Sequence, residues 1–326
     1  MSRRVLITPR SFGSASPQAR RMLEENGWEI VPNPSGGTLS PEQLSGLIRG
    51  VDALIVGIDP VDATVLARAD SLRIISKYGS GVNNIDLAAA RQMGIAVANV
   101  PQANVNAVAD ATIGAMIALA RSFIQADAST RRGEWKRFTG TELWQKNLGI
   151  VGLGAIGKAV AKRARGLEMR IVAFDPFVDE KAAEALGVRP VSLEELLASS
   201  DFVSLHCPLT EETRGLIGAA QLGLMKKSAY LINFARGGIV DEAALVQALR
   251  AGTIAGAAVD AYEQEPPPQD HPLFGLDNVL VFPHMGAHTW EAIDAMSVAA
   301  ARNVVEFFQT GTCANLVVPP PAAAGL

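Results

Sequence analysis

Three short stretches in the second half of the sequence hold side chains that together could reduce a keto acid. Arg236 lies in NFARGGIVDE, Glu265 in AAVDAYEQEPP and His284 in VFPHMGAHT. A planar guanidinium can bind a carboxylate and polarise the carbonyl beside it. An imidazolium can donate a proton to the carbonyl oxygen as a hydride reaches the carbon, and an adjacent carboxylate can orient that ring. Each residue alone is more often structural, so the combination is what predicts this chemistry.

A glycine-rich string upstream, GLGAIG, could hold the hydride donor. Gly152 would permit a tight turn after the strand NLGIV, Gly154 would let the backbone approach a pyrophosphate, and Gly157 would let the next helix lie close to the strand. The following apolar run ends at Asp175, whose carboxylate could bind the adenosine ribose and would repel the 2′-phosphate of NADP. We therefore expect NAD as the cofactor. An NADP-linked reductase is the alternative, and the ratio of activities with NADH and NADPH separates the two.

These residues need elements that bring them together, and the second half of the chain predicts such elements. Short apolar runs that alternate with helical stretches are typical of a parallel α/β sheet. The runs are Leu148–Val151, Arg170–Phe174, Phe202–Leu205, Tyr230–Asn233, Gly256–Val259 and Val279–Phe282. This pattern matches a dinucleotide-binding sheet, and the three catalytic candidates follow its strands at the edge where ligands bind.

The first hundred residues predict another α/β sheet by the same alternation. Its expected strands and helices are Val5–Thr8, Ala53–Val56, Arg73–Ser76 and Ala96–Asn99 with Pro17–Asn26 and Pro41–Arg49. Long helices are expected at Asn104–Arg121 and Trp290–Gln309, and the final PPPAAAGL is expected to be loose.

Composition narrows the class of protein. The 326 residues suit two domains of about 100–200 residues each, and 48% hydrophobic with 19% charged residues argues against disorder. The net charge is −4 and no basic run occurs, so no nucleic-acid partner is expected. Two cysteines without CxxC spacing indicate a reducing compartment. The N-terminus lacks a signal-peptide pattern and the longest apolar helical stretch is about half a bilayer span, so we expect no membrane and a cytoplasmic location.

Several motifs in order resemble the D-isomer-specific 2-hydroxyacid dehydrogenase family over nearly the whole chain. They are YGSGVNNID, LGIVGLGAIGK, HCPLTEETRGLI, LINFARGGIVDEAAL, VDAYEQEP and PHMGAHT. The family includes D-3-phosphoglycerate dehydrogenases, glyoxylate/hydroxypyruvate reductases and D-lactate dehydrogenases, and the phosphoglycerate dehydrogenase-like branch looks closest. The resemblance implies D-stereochemistry, which nothing in the local physics indicates.

The resemblance assigns roles to the residues that match these motifs. Arg236, Glu265 and His284 would be catalytic, and Ser80 and Gly81 would bind substrate together with Arg236 and His284. The cofactor would contact Gly152, Gly154, Ala155, Ile156, Gly157, Asp175, Cys207, Pro208, Thr213, Phe234, Ala235, Asp260, His284 and Gly286. Asp260 would lie near the nicotinamide, Phe234 would reshape the adenosine cleft, and no metal is expected.

The resemblance also implies an α/β fold of two Rossmann/flavodoxin-like domains with doubly wound parallel sheets. The NAD domain, residues 101–289, would be inserted into a split substrate domain made of residues 1–100 and 290–326, with the cleft between them. Relatives usually form dimers through the NAD domain, so a homodimer is expected. The small-molecule partner would be a 2-hydroxy or 2-keto acid.

The four histidines receive different predictions. The resemblance favours His284, directly after Pro283, over His288 as the acid/base, because a small residue is more usual at the place of His288; His288 could reach the substrate or cap the next helix. His206, at a strand end, is expected to be structural, and His271 is expected to be a loop residue.

The substrate and the function keep alternatives. The segment VGIDPVDA, residues 56–63, lacks the arginines that phosphoglycerate dehydrogenases use for phosphate, although Arg131, Arg132, Lys136 and Arg137 could supply cations or form a solvated basic face. Formate dehydrogenase shares the framework, but Glu265 argues against it because a glutamine is usual there. An NAD(H)-sensing corepressor-like binding protein is the alternative from another class.

Overall fold

The computed structural model describes residues 2–320. The chain forms two compact units, one made of Met1–Asn104 with His288–Leu326 and the other of Val105–Ala287. The tail that was expected to be loose lies outside the described residues from position 321 on.

The chain begins with five strands that alternate with four helices. They are β1 (Arg3–Ile7), α1 (Gln18–Glu25), β2 (Trp28–Pro32), α2 (Pro41–Leu47), β3 (Ala53–Val56), α3 (Ala63–Leu66), β4 (Ile74–Lys77), α4 (Leu87–Gln92) and β5 (Ala96–Ala98). All residues of β3 and β4 are buried, which explains the continuous apolar run of β3 and the two isoleucines that begin β4. Helix α2 starts where predicted because Ser40 and Gln43 form a capping box. The predicted strands are confirmed, and β2, which was not predicted, carries a charged residue and ends in proline.

The second unit contains the longer alternation. Its elements are α5 (Val105–Ala120), α6 (Phe123–Arg131), β6 (Asn147–Val151), α7 (Ala155–Gly166), β7 (Arg170–Phe174), α8 (Glu180–Leu186), β8 (Val188–Pro190), α9 (Leu193–Ser199), β9 (Phe202–Leu205), α10 (Ala219–Leu224), β10 (Tyr230–Asn233), α11 (Glu242–Ala251), β11 (Gly256–Val259), a 3₁₀ helix (Pro272–Gly275) and β12 (Val279–Val281). The strands are parallel in the order β12-β11-β10-β9-β6-β7-β8. The six predicted strands are confirmed; the seventh, β8, is a short edge strand.

The last described elements, α12 (Trp290–Thr310) and β13 (Leu316–Val318), complete the first unit. Its sheet has the order β13-β5-β4-β3-β1-β2. Helix α12 is bound to β4 because the Ser76 hydroxyl donates a hydrogen bond to the Ala300 carbonyl at 3.0 Å. The strand pairs of this sheet are parallel, as predicted, apart from the edge strand β13, which pairs antiparallel with β5.

Successive strand residues of the second unit face opposite cores, which makes its sheet doubly wound. Leu148 and Ile150 of β6 lie in one apolar cluster with α5 and α7, whereas Val151 lies in the other, with α9 to α11. Layers of helices therefore cover both faces. Among the described residues no single helix has the length and apolarity of a membrane span; α5 and α6 meet those criteria only as a pair bent by 62°.

Candidate active site

His284 and Glu265 form the central pair of the site. His284 lies after β12 and Glu265 lies after β11, and the His284 Nδ1 is 2.7 Å from the Glu265 Oε2. The other carboxylate oxygen of Glu265 accepts the Tyr262 backbone N–H at 3.0 Å. One carboxylate oxygen thus orients the His284 ring and the other anchors the Glu265 side chain. Nε2 is the ring nitrogen left for proton transfer.

Arg236 follows β10, the strand next to β11 in the sheet. Its Nη1 donates a hydrogen bond to the Ala235 carbonyl at 2.7 Å, which holds the side chain against its own loop. Burial lowers the pKa of Arg236, and the charge of Glu265 opposes that shift. The guanidinium therefore lies within electrostatic reach of the His284–Glu265 pair and keeps further N–H donors for an anion.

The charge state of Glu265 follows from its neighbours. Burial raises the pKa of this carboxyl, but the His284 hydrogen bond and charge, the Tyr262 N–H and the Arg236 guanidinium outweigh it, so the net pKa is lowered. Glu265 is consequently an anion near neutral pH.

Asp260 fixes the loop that carries His284. Its carboxylate accepts the Met285 N–H at 2.7 Å and the Gly286 N–H at 2.8 Å, and its side chain is buried. Burial raises the pKa of Asp260 and these two hydrogen bonds oppose the shift. His284 itself has a φ of +52°, a left-handed conformation that costs a non-glycine residue about 1–2 kcal/mol. The two hydrogen bonds to Asp260 stabilise this conformation, a role that sequence reasoning had missed.

Comparisons with known proteins agree with this geometry. Residues 113–286 match the family model described as D-isomer specific 2-hydroxyacid dehydrogenase, NAD binding domain. The glyoxylate reductase of Thermococcus litoralis is 40% identical, with 97% of each chain covered.

The chain belongs to the D-isomer-specific 2-hydroxyacid dehydrogenase family.

Two further similarities describe this family member. The D-3-phosphoglycerate dehydrogenase of Methanocaldococcus jannaschii is 44% identical over 93% of this chain, but the chain spans only 57% of that relative's length. The crystal structure of the TT0316 protein from Thermus thermophilus has a TM-score of 0.88 and 37% identity, covering 97% of this chain and 100% of the other.

The NAD-binding domain of this family member has a loop that fits a dinucleotide. Gly152 has a φ of +94°, and an added Cβ would lie 2.6 Å from the Cys207 backbone nitrogen. An added Cβ on Gly157 would overlap with the Gly152 carbonyl, so helix and strand touch as predicted. In front of Gly154, by contrast, no described atom lies within 4 Å of the added Cβ position. The loop thus leaves open space at the start of α7, where backbone N–H groups can bind phosphate.

Asp175 lies at the end of β7, beside that loop. Its Oδ2 accepts the Leu153 N–H and its Oδ1 accepts the Phe177 N–H, each at 2.8 Å. A carboxylate oxygen can accept a second hydrogen bond, so ribose hydroxyls could still be bound. The predicted ribose role of Asp175 stays a prediction, and the structure shows that its carboxylate braces the glycine loop through the Leu153 N–H.

Other predicted cofactor residues lie at the start of α7 or in the turn after β9. Ala155 and Ile156 start α7, and Cys207 lies against Gly152, where burial raises the pKa of its thiol to about 11. The Thr213 hydroxyl donates to the Pro208 carbonyl at 2.6 Å, which closes the turn after β9.

Phe234 is placed differently from the prediction. It is buried and packs on Phe282 with 5.5 Å between ring centroids, and an added Cβ on Gly286 would approach it to 2.9 Å. The strand before it, β10, is separated from β7 and Asp175 by β9 and β6. Phe234 therefore supports the His284 loop, and the expectation that it shapes the adenosine cleft is wrong.

The substrate contacts expected from Ser80 and Gly81 stay a prediction. Both follow β4 in the first unit, where the Ser80 carbonyl accepts a hydrogen bond from the Asn99 side chain at 2.7 Å. The loop is thereby fixed by the strand next to it.

The surroundings of the other three histidines indicate what each of them does. His206 is structural as predicted: its Nε2 is 2.8 Å from the Ser204 hydroxyl, and burial lowers its pKa to about 3. His288 is exposed, and Thr289 rather than His288 caps α12. His271 lies in a loop as predicted, and it is also buried there, 9% exposed, and pairs with Glu242 at 3.1 Å.

Proposed function

We propose that this protein is an NAD-dependent D-2-hydroxyacid dehydrogenase that interconverts a small 2-keto acid and its 2-hydroxy acid. The observation that carries the proposal is the 2.7 Å contact between His284 and Glu265 with Arg236 in electrostatic range, on a domain whose glycine loop fits NAD. Reduction adds a hydride to C2 and a proton to its oxygen. NADH, held by the glycine loop and Asp175, would supply the hydride.

The chain's own residues would perform the remaining steps. The Arg236 guanidinium would bind the substrate carboxylate and draw electron density from the carbonyl. His284 would hold a proton on Nε2 and donate it to the oxygen that becomes the hydroxyl. Glu265 would orient the imidazole through Nδ1 and stabilise its charged form. In the oxidation direction His284 would accept the hydroxyl proton.

The substrate is proposed to be unphosphorylated. Two of the candidate cations are already paired, since Arg131 contacts Asp127 at 2.7 Å and Arg132 contacts Glu134 at 2.8 Å. The segment after β3 contributes the buried carboxylate of Asp59 instead of an arginine. The match to the glyoxylate reductase covers 97% of this chain, which also favours a small acid.

A substrate screen tests the proposal. The purified chain is given NADH and, separately, glyoxylate, hydroxypyruvate, pyruvate, phosphohydroxypyruvate and a bulkier keto acid, and NADH consumption is followed by its absorbance. We expect consumption with glyoxylate or hydroxypyruvate, and a lower kcat/KM with phosphohydroxypyruvate. Binding of NADH without consumption on any acid would favour the NAD(H)-sensing alternative.

The predicted homodimer belongs to the same proposal. Apolar side chains of the second unit are exposed on and after α6, with Phe123 50%, Ile124 58% and Trp135 87% exposed. Such side chains suit contact with a second copy of the chain. Light scattering after size exclusion should give twice the chain mass of 34.3 kDa. A Phe123→Glu, Ile124→Glu double variant should move the mass toward the monomer, and an unchanged mass would exclude this surface.

A further inference from the structure

A second histidine–carboxylate pair, His271 and Glu242, takes no part in the reaction proposed above. Glu242, the first residue of α11, accepts the Glu263 backbone N–H on Oε1 at 2.7 Å and contacts His271 Nε2 with Oε2 at 3.1 Å. The Leu273 N–H donates to the other ring nitrogen of His271, so Nε2 carries the hydrogen that is donated to Glu242.

The two bonds of Glu242 lie on either side of Glu265 in the chain. Glu263 precedes Glu265 and His271 follows it, so one carboxylate fixes both ends of the segment between them. Directly before this segment, the Tyr262 N–H donates a hydrogen bond to Glu265 itself. The segment has no regular secondary structure from residue 260 to 271. No helix or strand ladder holds it, so side-chain contacts such as those of Glu242 help to fix its conformation.

The same segment also touches the loop of Arg236. An added Cβ on Gly237 would overlap with the Tyr262 carbonyl, so the Arg236 loop lies directly on the backbone of residues 262 and 263. A shift of that backbone would move Glu265 and displace the Arg236 loop at once.

His271 is built into this arrangement rather than exposed at a loop. Its ring packs edge-on to Tyr262, with centroids 5.7 Å apart, and lies 5.3 Å from the Phe274 ring. Its side chain is 9% exposed and that of Glu242 is 18% exposed. A polar contact so well shielded from water holds its geometry better than a surface pair does.

We propose that Glu242, through Glu263 and His271, is a positioning residue that sets the distance between Glu265 and His284. The proposal rests on the catalytic role of that pair in the function proposed above. Glu242 touches neither substrate nor cofactor in this proposal. It acts by holding the segment that presents Glu265 to the imidazole.

The test compares Glu242→Ala with the matched control Asp241→Asn. Asp241 is the N-cap of α11 and accepts the Ala244 N–H, which asparagine can also do, so the control removes a neighbouring charge and keeps both bonds of Glu242. We expect Glu242→Ala to lower kcat about 10- to 100-fold, because small misplacements of catalytic groups are costly, with the NADH Kd changed less than about twofold. Asp241→Asn should stay within about twofold of the unsubstituted chain.

A double-substitution experiment separates positioning from a general structural effect. In a Glu265→Gln background, Glu242→Ala should change kcat less than about twofold, since the residue it positions is already impaired. An equal loss in both backgrounds, or no loss in either, overturns the proposal. Glu242→Gln keeps the side-chain shape and one acceptor oxygen, so its kcat should lie between those of the unsubstituted chain and Glu242→Ala. If Glu242→Ala does not fold, Glu242→Gln takes its place in the test.

A crystal structure of the ligand-free Glu242→Ala variant gives a readout that needs no activity. We expect the Glu265 Oε2 to His284 Nδ1 distance to increase from 2.7 Å by about 0.5 Å or more. An unchanged distance overturns the proposal. If the unsubstituted chain consumes no NADH with any keto acid, the proposed function fails, and this structure still decides whether Glu242 positions Glu265.

Discussion

Two histidines at the same edge of the second sheet have opposite surroundings. His206 follows β9 and His284 follows β12. The Nε2 of His206 is bonded to the Ser204 hydroxyl, its Nδ1 is buried without a hydrogen-bond partner among the described residues, and burial lowers its pKa to about 3. His284 instead faces the carboxylate of Glu265 at 2.7 Å. A position at the ligand edge is therefore not sufficient for acid/base chemistry; the carboxylate partner makes the difference.

The backbone shows the same contrast. The His206 N–H donates to the Val151 carbonyl at 2.7 Å, which continues the ladder between β6 and β9. His284 has a left-handed φ and depends on Asp260, which binds the two following N–H groups. Strained conformations of this kind concentrate at functional sites. The strain, like the carboxylate, is found at only one of these two histidines.

The largest expected effect comes from removing each imidazole. His284→Ala should lower turnover by about 10²–10⁴ because general acid catalysis is lost, while NADH binding stays nearly intact. His206→Ala should lower the melting temperature, since it leaves a buried Ser204 hydroxyl without its partner, and should change turnover little. Steady-state kinetics and NADH titration of both variants decide this. Equal losses of turnover would remove the distinction between the two sites.

The next largest effect concerns the partner carboxylate. Glu265→Gln keeps the size of the side chain and removes its charge, so we expect turnover to fall about 10²-fold. The folded pKa of Glu265 is lowered, so the contribution of its charge is fully present above the ordinary glutamate pKa of about 4.3 and is lost as pH falls through the folded value. Below about pH 4 the unsubstituted chain should therefore lose this contribution to its free energy of unfolding, whereas Glu265→Gln has no such contribution to lose. If the pH–stability curves of the two chains run parallel instead, the Glu265 charge does not contribute to stability.

Sequence reasoning succeeded where the requirement is local. The turn at Gly152 and the close packing at Gly157 depend on neighbours in the chain, so GLGAIG was interpretable in the context of a strand and a helix. Short edge strands were missed: β8 includes an arginine and a proline, and β13 pairs antiparallel with a distant strand. Their pairing is set by tertiary contacts that no short window contains.

The site shows the same limit. Arg236, Glu265 and His284 were found because ordered motifs carry them, although their distances could not be predicted. The contact between Glu242 and His271 joins residues 29 positions apart and was not visible as a pattern. The division of roles between the two units, and the cytoplasmic location, stay predictions.

Two aspartates can be compared in the same way as the two histidines. Asp175 binds backbone N–H groups as Asp260 does, but it lies at the predicted ribose end of the site. Asp175→Ala should weaken NADH binding about 10- to 100-fold, since one charge-assisted hydrogen bond contributes about 1.5–3 kcal/mol. It should also raise the ratio of NADPH to NADH activity, because the repulsion of a 2′-phosphate is removed. The matched control Asp179→Asn keeps the N-cap of α8 and should change neither value. An unchanged cofactor ratio in Asp175→Ala would contradict the ribose assignment.

The smallest effect is a pH dependence of stability that His206, the histidine without a carboxylate partner, should produce. The folded pKa of His206 is lowered to about 3 by burial, whereas an unfolded histidine has a pKa of about 6.5. Between these values the unfolded chain binds a proton that the folded chain does not, so stability is fully present above about pH 6.5 and decreases as pH falls. The slope approaches about 1.4 kcal/mol per pH unit for one proton. Urea unfolding at about pH 7, 6 and 5, values that cover the upper part of this window, should show a loss of stability that steepens toward this slope in the unsubstituted chain. The loss should be smaller in His206→Gln, whose amide can still bind Ser204. If both chains lose stability in parallel, His206 is protonated in the folded state and the contrast with His284 is lost.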